Sequence, residues 1–202
     1  MQHRQQLAQL NNLTANGFDA FLYDCDGTLA DNMDLHKQAF VKTGLAHGFV
    51  LDPSILDELA GVPTLEVATE ISRRYGVAFN PAQFAQQKSQ TFVDEFISLT
   101  KPLHFVVEHL RMHAGRKKIG VVSGGRKSTV SKTLRLLQID HLVEVLVCAD
   151  DTLRGKPFPD PFILAAQTLG VQPERCMVFE DGNPGVEAAK AAGMKWVRVD
   201  QI

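Results

Sequence analysis

Five short apolar runs, separated by segments with helical periodicity, constrain the fold more than anything else in this chain. They fall at residues 19–24, 118–123, 144–148, 176–180 and 196–199. Each is apolar along most of its length, as expected of strands covered on both faces. Helical patterning fills 105–113, 128–137, 161–169 and 184–192, the last closed by Gly193. Strands alternating with helices predict an α/β fold: a Rossmann-like parallel sheet with helices on both faces.

Between the first and second runs the pattern changes. Residues 34–99 read as helix throughout, broken at Gly48, Asp52-Pro53, Gly61-Val62-Pro63 and Asn80-Pro81. Pro and Gly at these points predict several short helices. The expected division is an α/β core of residues 1–33 and 104–202, interrupted by an all-helical insertion, 34–103. Linkers are expected near 30–33 and 100–103. Residues 1–17 read as helical or frayed, ending near Asn16-Gly17.

In open parallel sheets, ligands bind beyond the carboxyl ends of the strands. The polar groups of this chain gather there. Asp24-Cys25-Asp26-Gly27-Thr28 follows the first run. Side chains alternate along a strand, so Asp24 and Asp26 can share one side, and Gly27 permits a sharp turn. Ser123 ends the second run, Lys156 lies in the loop after the third, and Glu180-Asp181-Gly182 ends the fourth. A strand capped by polar turn residues would also produce the first pentapeptide. The joint placement at one edge is what points to a site.

Clustered carboxylates need a cation to coexist, and hard oxygen donors at an open site favour Mg²⁺. The Lys156 ammonium, the Ser123 hydroxyl and loop N–H groups suit the charge of a phosphoryl group in transfer. One carboxylate can attack phosphorus, and a second can move protons. Net charge of −2 makes no electrostatic case for a nucleic acid or a membrane surface. No apolar run approaches the ~20 residues of a membrane span, and residues 1–10 are Gln-rich, without the apolar core of a secretory signal. We expect a cytoplasmic monomer. Cys25, Cys148 and Cys176 each lie in or beside a strand-like run and are expected to be free, buried thiols. Cys148 and Arg154 share the spacing of cysteine phosphatases by chance, because Asp150 and Asp151 between them would repel phosphate.

Asp24-x-Asp26-Gly27-Thr28, Ser123, Lys156-Pro157 and Glu180-Asp181-Gly182 resemble, in order, the four motifs of the haloacid dehalogenase superfamily of phosphatases. The resemblance covers about residues 18–200. The insertion resembles the helical cap of the β-phosphoglucomutase-like branch. Gly61-Val62-Pro63-Thr64, Lys156-Pro157-x-Pro159-Asp160 and Val178-Phe179-Glu180-Asp181 look most like small sugar-phosphate phosphatases of the fructose-1-phosphatase type. The resemblance implies Mg²⁺-dependent hydrolysis of a small phosphorylated metabolite through an aspartyl phosphate. It implies Asp24 as nucleophile and metal ligand, and Asp26 as acid/base, lending its backbone carbonyl to the metal. It further implies Ser123 and Lys156 as phosphate-binding residues, and Glu180 and Asp181 as the acidic pair completing the metal site. Thr28 matches a residue that orients the acid/base. Asp26 is expected to be protonated when substrate arrives.

Two departures sharpen this. Haloacid dehalogenases resemble the fold but lack the second aspartate, so Asp26 argues against dehalogenation. β-Phosphoglucomutases carry an arginine where Thr64 stands, which favours hydrolysis over a mutase reaction. A phospho-receiver module also combines acids, a Ser/Thr and a Lys, but has no room for the insertion. His36 matches a histidine facing the active site, and an exposed helix position is the alternative. Lys88 resembles a cap lysine that reaches substrate, against a solvated helix lysine. Arg126 can bind substrate, or can cap a helix start from solvent. His109 and His113 read as surface or interface histidines, Met177 and Phe179 as core, and Trp196 as packed.

Overall fold

The computed structural model describes residues 2–15, 17–59 and 61–202. Met1 and Asn16, part of the expected first helix, and Ala60, within the expected helical stretch, lie outside them. The predicted sheet is present. Strands β1 (Ala20–Tyr23), β4 (Lys118–Val122), β5 (Val145–Val147), β6 (Cys176–Glu180) and β7 (Lys195–Arg198) form one sheet of order β5-β4-β1-β6-β7. All its pairings are parallel.

The strand period of two sorts the first strand between two layers. Phe21 and Tyr23 face a cluster with Leu10 of α1 (Gln2–Thr14), Leu110 of α6 (His104–His113) and Leu134 of α7 (Lys127–Leu136). Ala20 and Leu22 face the opposite layer with Phe162 of α8 (Asp160–Leu169) and Ala188 of α9 (Asn183–Ala191). Burying each large apolar side chain stabilises by roughly 1.5–3 kcal/mol. Met177 and Phe179 are core residues, and all three cysteines are free and buried. Trp196 is not packed as expected. It lies on the outer strand β7, 39 % exposed, with Lys190 Nζ 5.4 Å from its ring.

His109 also departs from expectation, since it is wholly buried. Thr14 Oγ1 donates to the Leu10 carbonyl at 2.9 Å, so it accepts from His109 Nε2 at 2.9 Å. His109 Nδ1 then accepts from the Tyr23 hydroxyl at 2.8 Å. Burial holds this imidazole neutral, its pKa pushed down to about 3. Both ring nitrogens are satisfied, which is what makes a buried polar ring tolerable. The group pins α1 and α6 to β1, one residue before Asp24. His113 is partly buried and packs edge-on against Phe21, with ring centroids 4.9 Å apart.

A third apolar cluster, including Phe40, Leu56, Ile71 and Phe84, is built wholly from residues between 40 and 85. It joins α2 (Met33–Ala46), α3 (Ile55–Glu58), α4 (Thr64–Tyr75) and α5 (Pro81–Thr91). Asn80 caps α5, its Oδ1 accepting from the N–H groups of Ala82 and Gln83, with Pro81 at the first helical position. Helix α5 runs on into a π-helical turn, Phe92–Phe96. The two chain passages flanking this cluster are not plain linkers. Strand β2 (Ala30–Asp31) pairs antiparallel with β3 (Lys101–Pro102), and Leu103 N–H donates to the Leu29 carbonyl at 2.9 Å. Two-residue strands carry no periodic signal, so the sequence does not reveal them.

Candidate active site

Gly27 has φ +86°, and a Cβ there would lie 2.1 Å from Asp181 Oδ2. Only glycine allows both the turn and this approach of the first motif to the fourth. The turn leaves Asp24 at the end of β1, beside Glu180 at the end of β6.

Lys156 is the centre of the charge network. Its fully buried ammonium donates to Asp24 Oδ1 and Glu180 Oε1, both at 2.6 Å, and to the Val122 carbonyl at 2.9 Å. Burial disfavours its charge, but the two carboxylates outweigh burial and hold its pKa above that of a free lysine. The other Glu180 oxygen accepts from the N–H groups of Asp181 and Gly182 at 3.0 and 2.9 Å. Glu180 thereby steadies Lys156 with one oxygen and the turn after β6 with the other.

Carboxylate oxygens of Asp24, Glu180 and Asp181 lie within 4.8 Å of one another. Burial pushes Asp24 well above the usual carboxylate range, against the pull of Lys156, and Glu180 and Asp181 add to the rise. Burial, then Glu180, pushes Asp181 up to about 6. Three carboxylates against one ammonium leave an excess of negative charge. Their all-oxygen, hard donor set fits a divalent cation such as Mg²⁺. The Asp26 side chain is not in this cluster. Thr28 departs from the expectation that it orients the acid/base, for its hydroxyl donates to Asp181 Oδ1 at 3.1 Å.

Asp26 has partners that the sequence did not disclose. Asn32 Nδ2 donates to its Oδ1 at 2.7 Å, and His36 Nε2 lies 3.2 Å from the same oxygen. Burial raises its proton affinity, but His36, Asn32 and Lys88 outweigh burial and hold its pKa at about 2. Without substrate, Asp26 is therefore held as a carboxylate. The reason is local: its neighbours are donors rather than further carboxylates.

His36 is partly buried and stacks on Phe92, with centroids 3.8 Å apart and planes 11° apart. Lys88 is buried, not solvated. Its Nζ lies 2.7 Å from His36 Nδ1 and 4.5 Å from the Phe40 ring centroid. Burial brings its pKa down to about 8. Burial, then Lys88, lowers that of His36. Asn32 carried no sequence signal, because an asparagine before a helix reads as a cap.

His36 and Lys88 help to line a cavity of about 100 Å³. Asp24, Asp26 and Ser123 lie on one side of it, and His36, Thr64 and Lys88 on the side of residues 33–92. Phe40, Leu56, Val67 and Phe92 supply apolar surface. Ser123 is buried, its Oγ accepting from Gly125 N–H at 3.0 Å. Arg126 lines the mouth, exposed, and its side chain does not cap α7. Cys148 is buried, with its thiol pushed up to about 12 by burial and Asp151, and Arg154 pairs with Asp160. They form no phosphatase site.

Residues 21–199 match the family of haloacid dehalogenase-like hydrolases. The chain belongs to this family. It is 31 % identical over 182 residues to fructose-1-phosphate phosphatase YqaB of Escherichia coli (strain K12), covering 90 % of this chain and 96 % of that one. It is 28 % identical to a phosphorylated carbohydrates phosphatase of Thermotoga maritima, covering 88 % and 82 %. Its fold matches that of β-phosphoglucomutase from Clostridium difficile with a TM-score of 0.76 at 24 % identity, covering 89 % and 83 %. Like the first two relatives, this member of the family is a phosphatase.

Proposed function

We propose that this phosphatase hydrolyses a small sugar phosphate, with Mg²⁺, through an aspartyl phosphate on Asp24, beneath a cap formed by residues 34–103. The observation that carries the reading is the Lys156 ammonium, bonded at once to Glu180 and to Asp24, which lines the cavity together with Asp26 and Ser123. Asp24, Glu180 and Asp181, with the backbone carbonyl of Asp26, would hold the cation, which when bound offsets charge on the phosphoryl oxygens. Lys156 and Ser123 hold the same oxygens from the protein side.

The Asp24 carboxylate attacks phosphorus as the bond to the leaving alcohol breaks. Asp26 gives that alcohol its proton. It then takes a proton from the water that cleaves the aspartyl phosphate, releasing inorganic phosphate and restoring Asp24. Asp26 is a carboxylate in the structure as it stands. An arriving phosphate dianion raises its proton affinity by like-charge repulsion, which populates the donor form where it is needed. The cap side chains His36, Thr64 and Lys88, with Arg126 from the core, take the sugar.

Release of phosphate from a panel of sugar phosphates, phosphorylated acids and nucleotides, with Mg²⁺, tests this. Fructose 1-phosphate, the substrate named for the Escherichia coli relative, comes first. Turnover of sugar phosphates that disappears in Asp24→Asn supports the reading. Release only from nucleotides or phosphorylated acids overturns the substrate class. Substituting Thr64 should change discrimination among sugar phosphates more than hydrolysis of p-nitrophenyl phosphate.

A further inference from the structure

The loop Gly61-Val62-Pro63 meets two core loops and the first turn of α9 at once, each near a residue of the site. A Cβ on Gly124, next to Ser123, would lie 3.4 Å from the Gly61 carbonyl oxygen and 3.8 Å from Pro63 Cα. A Cβ on Gly155, next to Lys156, would lie 2.6 Å from Pro63 Cγ. Gly61 itself faces the ring of Pro184, three residues after Asp181, at 3.7–3.8 Å from where its Cβ would stand.

Neither Gly124 nor Gly155 has a positive φ. Their own backbones therefore do not demand glycine, and the demand comes from across the interface. The proline ring is stiff and cannot swing aside as a flexible chain end would. We infer that Gly155 and Gly124 form a seat for Pro63, and that this contact sets how closely residues 34–103 close over Asp24. Gly155 is thus a positioning residue, since it touches no reacting atom. The inference rests on the cap reading of that segment, and it is independent of which ester is the substrate.

Gly155→Ala tests it, alone and combined with Pro63→Ala. Removing the ring takes away Cγ and Cδ and leaves Pro63 Cβ 3.9 Å from the new methyl, an ordinary contact. Spin labels at Val50→Cys and Leu136→Cys, both exposed, report the distance between the segment and the core, and the native cysteines are buried. Gly155→Ala should lengthen that distance and lower kcat/KM for fructose 1-phosphate roughly 10- to 100-fold, the scale of a misplaced reacting geometry. Adding Pro63→Ala should return both towards the value of Pro63→Ala alone. An unchanged distance and rate in Gly155→Ala, or no recovery in the double variant, overturns the seat. Failure of both variants to fold also overturns it, because the glycine would then serve its own loop. A wild-type protein inactive on fructose 1-phosphate and p-nitrophenyl phosphate would count against the proposed function, while the distance measurements would still decide the seat.

Discussion

Lys88 Nζ lies 2.7 Å from Nδ1 of His36, a residue 52 positions earlier in the chain. An ammonium has only donors, so Nδ1 is the acceptor and the neutral ring carries its proton on Nε2. That nitrogen faces Asp26 Oδ1 at 3.2 Å. A lysine of α5 thereby fixes the tautomer of a histidine of α2, and the histidine in turn holds the carboxylate proposed to move protons.

This arrangement predicts a pH dependence. The Lys88 pKa, brought down to about 8 by burial, means that its ammonium is lost as pH rises through that value. We expect kcat/KM to fall above about pH 8 in wild type, and Lys88→Met to lack that limb at a lower plateau. Stability should move oppositely. The folded pKa lies below the unfolded one of about 10.4, so the unfolded chain binds more protons between pH 8 and 10. The contribution of Lys88 to stability therefore rises with pH across that window, measurable as the difference between wild-type and Lys88→Met denaturation midpoints.

Asp24→Asn should retain the fold and lose turnover by on the order of a thousandfold or more. The amide keeps the shape of the side chain but cannot attack phosphorus. Rate assays with circular dichroism on the same samples check both halves. Activity near wild type would remove Asp24 from the nucleophile role.

Asp181 is crowded by Glu180 and buried, with its pKa pushed up to about 6. A raised carboxylate pKa means stability lost as pH rises through the span from about 4 to 6. In chelator at pH 7.5, Asp181→Asn should therefore melt several degrees higher than wild type, roughly the shift given by 1–2 kcal/mol in a chain of this size. With Mg²⁺ present the difference should shrink or reverse, and the variant should be the less active enzyme. EDTA should abolish wild-type activity and added Mg²⁺ restore it. Thermal melts and phosphate release in both media read these outcomes.

Gly185→Ala reverses an ordinary rule. Alanine in a helix normally gains about 1 kcal/mol over glycine. Here its Cβ would lie 1.7 Å from Glu180 Oε1, the oxygen that holds Lys156. The clash should cost about 1–3 kcal/mol, as in other overpacked sites. It should also lower kcat/KM through the displaced lysine. Chemical denaturation of this single variant gives the sign, and a stabilised Gly185→Ala would contradict the packing.

The order of the five strands of the main sheet and the helices between them, the parallel sheet and the membership of the family were legible in the chain alone. Those signals are local: apolar runs of strand length, helical periodicity between them, and short polar motifs directly after strands. Asp24, Asp26, Ser123, Lys156, Glu180 and Asp181 stood out for the same reason, each tied to a strand end. The environments of side chains were not legible. The choice between a site lysine and a solvated helix lysine at Lys88 turns on Phe40 and His36, about fifty residues away, which cover it. His109 reads as surface until Thr14 and Tyr23 satisfy both its nitrogens. The donors that hold Asp26 as a carboxylate without substrate, Asn32 and His36, leave no mark in its own motif. Sequence patterns report which way a residue faces along its own element. Solvation and proton affinity depend on which distant element packs against it, and only the tertiary structure decides that.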